Sequence, residues 1–289
     1  MNQLIIRGLN KLKLLSFLNI NGQIKLNRSV FKIPILQKEG FANLFMSEPW
    51  MIKLLEIAIP IDQGSFVDVG VNIGQTLLKL RSVSPDTQYI GFEPNPKCVH
   101  YVDHLIKTNN IKQVQIIPVG VSEKTELGVL NFFDTSATDS SASMIAEFRS
   151  KDSIKRKEYI PLFEVSKVID KVALNKISIL KIDVEGAELE VLKSFSSIIR
   201  EQQPIILLEI LPTYNKENTF RIERQNQIQS LLADVGYTMY NVIKDRETLI
   251  GFNEISEIAI HSDLNRCEYV MVPGRKKEKF ENNWKQLAG

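Results

Sequence analysis

From Phe66 onward, short apolar runs alternate with helical stretches, and that alternation leaves few folds open. "SFVDVG" reads as a first strand and "QTLLKLRSV" as its helix. "TQYIGFE" and "PKCVHYVDHLIKTNN" repeat the pattern, with Pro96 suited to a first helical turn. "VQIIPVG" follows as a third strand, "ISILKID" as a fourth with "AELEVLKSFSSII" as its helix, and "PIILLEI" as a fifth. Uninterrupted apolar runs suit strands covered on both faces, so the expected class is α/β, a mostly parallel sheet with helices on both sides. "RQNQIQSLLADVG" is a further helix with a glycine stop, and "YTMYNVI" and "CEYVMVP" close the sheet.

The bulk numbers only bound the answer. Hydrophobic residues at 44% and charged residues at 24% describe a globular chain, neither disordered nor disulfide-dense. A formal charge of +2 gives no reason to expect a nucleic-acid partner. Cys98 and Cys267 have no metal-type spacing, so reduced core thiols and a cytoplasmic location are expected.

At the start, "MNQLIIRGLNKLKLLSFLNI" is apolar, but Arg7, Lys11 and Lys13 interrupt every run. Neither a signal peptide nor a transmembrane segment is expected; a helix docked on its own domain and a basic amphipathic segment in peripheral contact with a membrane are the two readings. Residues up to about 60 read as a cap. "GRKKEKFENNWKQLAG" reads as a charged, solvated tail.

The loop after the first strand, "FVDVGVNIGQT", carries Asp68, Gly70, Asn72 and Gly74. Glycines there bring backbone N–H groups and a helix N-terminus close to a ligand. Glu93 follows Gly74 by 19 positions, the spacing expected of a ribose-diol carboxylate. Asn72 occupies the position where a dinucleotide fingerprint needs a second glycine, which disfavours pyrophosphate and hence a nicotinamide-dependent oxidoreductase. S-adenosylmethionine has the ribose without the phosphate, and Asp68 would match its cationic groups.

"ILKIDVEGAELEVL" adds Lys181, Asp183 and Glu185 at a strand end facing the same cleft. Together "FVDVGVNIGQT", "GFEPNP", "KIDVEGAELEVL" and "PIILLEI" resemble the FkbM family of S-adenosylmethionine-dependent methyltransferases over roughly Phe66 to Pro212. The resemblance implies a seven-stranded Rossmann-like methyltransferase sheet; the chain itself divides into an N-terminal cap (1–60), a methyltransferase domain (61–273) and a charged tail (274–289). It implies O-transfer to a hydroxyl of a sugar, glycan, glycolipid or secondary metabolite. It puts the donor loop on Asp68, Gly70, Asn72 and Gly74, the ribose acid on Glu93, and adenine near Val119 to Glu123, including Gly120, Val121 and Ser122. Asp183 is the expected base, with Glu185 and Lys181 beside it.

No metal ligand is assigned; a divalent cation held by Asp183, Glu185 and Glu209 is the alternative. A catalytically silent glycan-binding or scaffold protein on the same fold is a rival reading, and the oligomeric state is open. Glu188 falls within the apolar arc of Ala187, Val191, Leu192 and Phe195, so it must bond the helix start or face the ligand. His100 and His104 read as a solvated pair, and His261 as a weak rival base. Arg221 and Arg224 read as a solvated helix face or as anchors for an acidic sugar or phosphate. The polar span 134–157, with Ser140, Ser141 and Ser143, reads as a lid or acceptor-binding loop.

Overall fold

The computed structural model describes residues 2–45, 47–172 and 176–288. The cap opens with helix α1 (Gln3–Lys11) and a hairpin, β1 (Asn19–Leu26) and β2 (Ser29–Leu36), and ends in α2 (Trp50–Ala58). The alternating half continues with β3 (Ser65–Val69), α3 (Gln75–Val83), β4 (Tyr89–Phe92), α4 (Pro96–Asn109) and β5 (Val114–Ile117). Next come the short β6 (Gly120–Val121), β7 (Glu126–Phe132), β8 (Arg156–Phe163) and α5 (Val165–Ile169). The chain then runs through β9 (Ile177–Ile182), α6 (Glu188–Ser194), α7 (Ser196–Gln202), β10 (Ile205–Glu209) and α8 (Thr219–Ala233). It closes with β11 (Tyr237–Asp245), β12 (Thr248–Ile255), β13 (Glu268–Pro273) and α9 (Lys277–Ala288).

The main sheet has eight strands in the order β12-β11-β13-β10-β9-β3-β4-β5. Pairings from β5 through β10 are parallel, and those of β13, β11 and β12 are antiparallel. The seven strands expected are all present, and β12 is an eighth at the edge. Its residues are largely exposed, so it lacks the apolar run that marks its neighbours.

Side chains alternate across the sheet with a period of two. Phe66, Ile179, Ile205, Leu207, Val270 and Val272 pack under α2, α3 and α9. Val67, Val69, Leu180, Ile182, Ile206 and Leu208 pack against α6, α7 and α8. Asp68, Lys181, Glu209 and Glu268 fall on the first face at strand ends, so a polar row interrupts that layer where the strands stop.

Three local readings change. The third strand breaks after Ile117, and Gly120–Val121 joins β7 and β8 in a separate sheet. The fourth-strand helix splits into α6 and α7 at Phe195. The charged terminal stretch is not a free tail: it forms α9, which buries Phe280 at 1% exposure and packs Trp284 on the core while most of its charged side chains stay exposed. Phe280, Trp284 and Leu287 recur at helical spacing, a signal that the surrounding charges obscure.

Candidate active site

Beyond the carboxyl ends of β3, β4, β9 and β10 lies a cavity of roughly 850 Å³. Ligand clefts of open α/β sheets form at this edge, where strand order reverses between β3 and its two neighbours. Gly70 turns the chain at φ 93°, and a Cβ there would lie 1.8 Å from the carbonyl oxygen of Asp183. Only glycine lets the two strand-end loops cross this closely. Gly74 starts α3 at φ 79°. Between them, Asn72 sits at φ 48°, donates its backbone N–H to Glu93 Oε2 at 2.7 Å, and accepts from Ile73 N at 2.7 Å through its side chain.

Glu93 is buried, with its other oxygen accepting from Asn95 N at 2.8 Å. Burial pushes its carboxyl up to about 7 against those two N–H groups. Each oxygen keeps a lone pair beyond these bonds, so the carboxylate can fix the loop and still accept from a ligand hydroxyl at the cavity wall.

On the next strand, Lys181 Nζ lies 3.3 Å from Asp68 Oδ1 and 3.1 Å from Asp183 Oδ2. Asp68 and Lys181 are register partners across β3 and β9, which makes this contact a product of strand pairing. Asp183 stays about one-third exposed toward the cavity. Glu185, at φ 53°, accepts from Arg149 at 2.7 Å, and burial followed by the charge of Asp183 pushes its carboxyl up to about 7.

A model of the FkbM methyltransferase domain matches residues 68–239, more than half of the chain and the whole of this strand-end apparatus. The chain belongs to the FkbM methyltransferase family. It is an S-adenosylmethionine-dependent enzyme of that family. Similar proteins include methyltransferase sdnD of Sordaria araneosa, 25% identical over 206 residues, 62% of this chain and 74% of that protein. Methyltransferase 1 of Beauveria bassiana (strain ARSEF 2860) is 24% identical over 180 residues, 57% of this chain and 71% of that protein. The crystal structure of an FkbM methyltransferase from Methylobacillus flagellatus KT aligns with TM-score 0.43 and 17% identity, over 72% of this chain and 43% of that one.

The residues present fit an FkbM donor site: a backbone cradle at Gly70 and Asn72, a carboxylate at Glu93, and Gly120 and Val121 on the same wall. Three residues expected there do not reach the cavity. Asp68 is fully buried and spent on Tyr89 Oη, which donates at 2.6 Å, and on Lys181, so it cannot touch the donor's cationic groups. Gly74 instead makes room for α4, since a Cβ there would lie 3.1 Å from Leu105. Ser122 donates its N–H to Phe163 O at 3.0 Å and lies beyond the lining.

Glu188 bonds the helix start, accepting from Gly186 N at 2.7 Å. Arg221 and Arg224 are neither a solvated face nor free anchors. Arg221 donates to Pro212 O at 2.7 Å and to Phe148 O, and its guanidinium stacks 3.9 Å from the Phe148 ring centroid. Arg224 donates to Gly186 O and pairs with Glu190. His261 lies near Tyr269 Oη at 3.4 Å, outside the cavity lining. Among the described residues, no group of three or more His, Cys, Asp or Glu is placed to hold a metal ion.

The cavity takes two walls from segments without recognisable motifs. Residues 38–42 and 47–48 of the cap form one, and residues 134–140 of the polar span form the other. They meet where Thr138 Oγ1 donates to Glu39 Oε2. Asn95 Nδ2 donates to Ala137 O at 2.9 Å and ties the span to the donor side. Asp139 folds the span on itself, accepting from the N–H groups of Phe133, Asp134 and Ser141.

Glu209 lines the same cavity, and its carboxyl has no hydrogen-bond partner among the described residues. It faces Glu268 directly across β10 and β13. The charge of Asp183, and then burial, push its carboxyl up to about 10. Both effects favour its protonated form.

Proposed function

We propose that this enzyme methylates a hydroxyl oxygen of a neutral, polyhydroxylated acceptor: a sugar, glycan, glycolipid or glycosylated metabolite. The observation that carries the reading is the carboxyl-rich acceptor end of the cavity. Glu39, Asp134, Asp139 and Asp183 line it, with Glu48 paired to Lys79, while its lysines are Lys38 and the paired Lys181. Carboxylates accept from sugar hydroxyls and repel phosphates and acidic sugars. The arginines that would suit an anion are committed elsewhere, Arg221 to backbone carbonyls and Arg224 to Gly186 O and Glu190.

S-adenosylmethionine, when bound, supplies an electrophilic methyl group on a sulfonium; Gly70, Asn72 and Glu93 would hold it. The protein's own work is orientation and proton management. Lys181, anchored by Asp68, aims the Asp183 carboxylate into the cavity, where it accepts the proton from the acceptor hydroxyl. Such a base contributes about 10²- to 10⁴-fold. Glu209, biased toward its protonated form by the charge of Asp183 and by burial, would offer a hydrogen-bond donor beside it. The contact between Thr138 and Glu39 joins the two walls on either side of the cavity.

Incubating the protein with methyl-labelled donor and a carbohydrate-containing cell extract, then locating the label in the product, tests this. A methyl on oxygen of a neutral glycoside is expected; a methyl on nitrogen, carbon or an anionic acceptor would sink the reading.

A further inference from the structure

Helix α1 is apolar on two faces, and the fold covers only one. Its inner face seats Ile6, at 0% exposure, against the β1–β2 hairpin. Gln3 Nε2 pins it by donating to Gln23 O at 3.0 Å and Leu44 O at 3.2 Å. On the outer face Leu4 and Ile5 are 73% and 55% exposed, followed by Leu12 at 70%. The tight turn after the helix adds Leu14 and Phe17, the latter at 83% exposure. Single exposed apolar residues are ordinary, but five within fourteen positions (4–17) form a patch that needs an occupant.

The charges identify that occupant. Arg7, Lys11 and Lys13 interleave with the apolar residues, and the hairpin adds Lys25, Arg28 and Lys32; the first acid in the chain is Glu39. Lys11 and Lys13 have no ion-pair partner among the described residues, and Arg7 rests over the Phe45 ring at 4.6 Å. A second copy of the chain would bring the same cations face to face, so self-association is opposed by charge. A surface with apolar depth and a dense negative headgroup layer satisfies both features.

We infer that α1 and the turn through Phe17 dock the enzyme on an anionic lipid bilayer, with Leu4, Ile5, Leu12, Leu14 and Phe17 entering the headgroup boundary and Lys11 and Lys13 among the phosphates. Ile6 and Gln3 hold the helix rigid in solution, so the surface is presented without a folding step. No helix among the described residues is long and apolar enough to cross a membrane, so the contact is superficial.

The test is cosedimentation of the intact chain with vesicles of phosphatidylcholine alone and of phosphatidylcholine mixed with phosphatidylglycerol. Binding is expected only to the mixed vesicles, weakening as salt rises. Lys11→Gln and Lys13→Gln should each weaken it about fivefold, and Phe17→Ser about tenfold, with thermal stability unchanged because all three side chains are exposed. Wild-type protein left in the supernatant with anionic vesicles at low salt overturns the inference. So does binding indifferent to these substitutions, or a dimer in solution that the same substitutions dissolve.

Discussion

The α-carbon of Gly70 stands so close to Asp183 that a methyl group on it would be 1.8 Å from the Asp183 carbonyl oxygen. Gly70→Ala must therefore move a strand end and strain a positive φ at once. Donor affinity measured by calorimetry should fall below detection, with several kcal/mol lost in chemical denaturation. Gly74→Ala meets a movable leucine at 3.1 Å and should cost less than Gly70→Ala on both measures. Equal losses would mean that the close crossing has no special role.

For the proposed base, Asp183→Asn should lower turnover by about 10²- to 10⁴-fold. Donor affinity should stay near wild type, because Asp183 touches Lys181 and the acceptor side. Near-full activity in single-turnover assays would remove Asp183 from the role. Glu209→Gln, which retains a donor, should lose far less.

Lys181 compensates Asp68 in a buried pair, and truncating one partner strands the other. Lys181→Met should destabilise by about 3–5 kcal/mol in denaturant titration. Combining it with Asp68→Asn should recover part of that loss, since the amide still accepts from Tyr89. Strictly additive losses would show the two residues to be uncoupled.

Glu188 provides a test in pH. Its carboxyl is raised from the ordinary 4.5 to about 7, mainly by burial. The folded chain then holds a proton that the unfolded chain releases. This stabilisation is fully present below 4.5 and is lost as pH climbs to about 7. Glu188→Gln keeps an oxygen for Gly186 N–H and removes that slope. The variant's Tm should gain on wild type across this window and run parallel above it; a constant difference at all pH values would refute the assignment.

Arg221→Ala should release the segment around Phe148, which it holds by a backbone bond and a stacked ring. About 1–3 kcal/mol of stability should go, and residues 134–157 should be cleaved faster by protease. Unchanged cleavage would show that the polar span is held elsewhere.

The turn after β3 and the acid after β4 were legible because both are local features. A glycine turn, an acid one strand later and uninterrupted apolar strands are written within single segments. Whether Asp68 points into the cleft or into the core is decided by register with Lys181, which lies 113 positions away. Glu39 meeting Thr138 and Glu209 meeting Glu268 likewise depend on distant pairing that no local period records. Strand β12 and helix α9 were hidden for another reason: β12 buries only Leu249, and in α9 charged residues surround the few apolar ones that pack it.

The cap residues that wall the cavity, 38–42 and 47–48, precede the span of the family domain, which begins at residue 68. The wall proposed to face the acceptor is thus shared between a segment ahead of that span and loops inside it. A chimaera bearing another member's first sixty residues should keep its appetite for the donor while changing what it decorates.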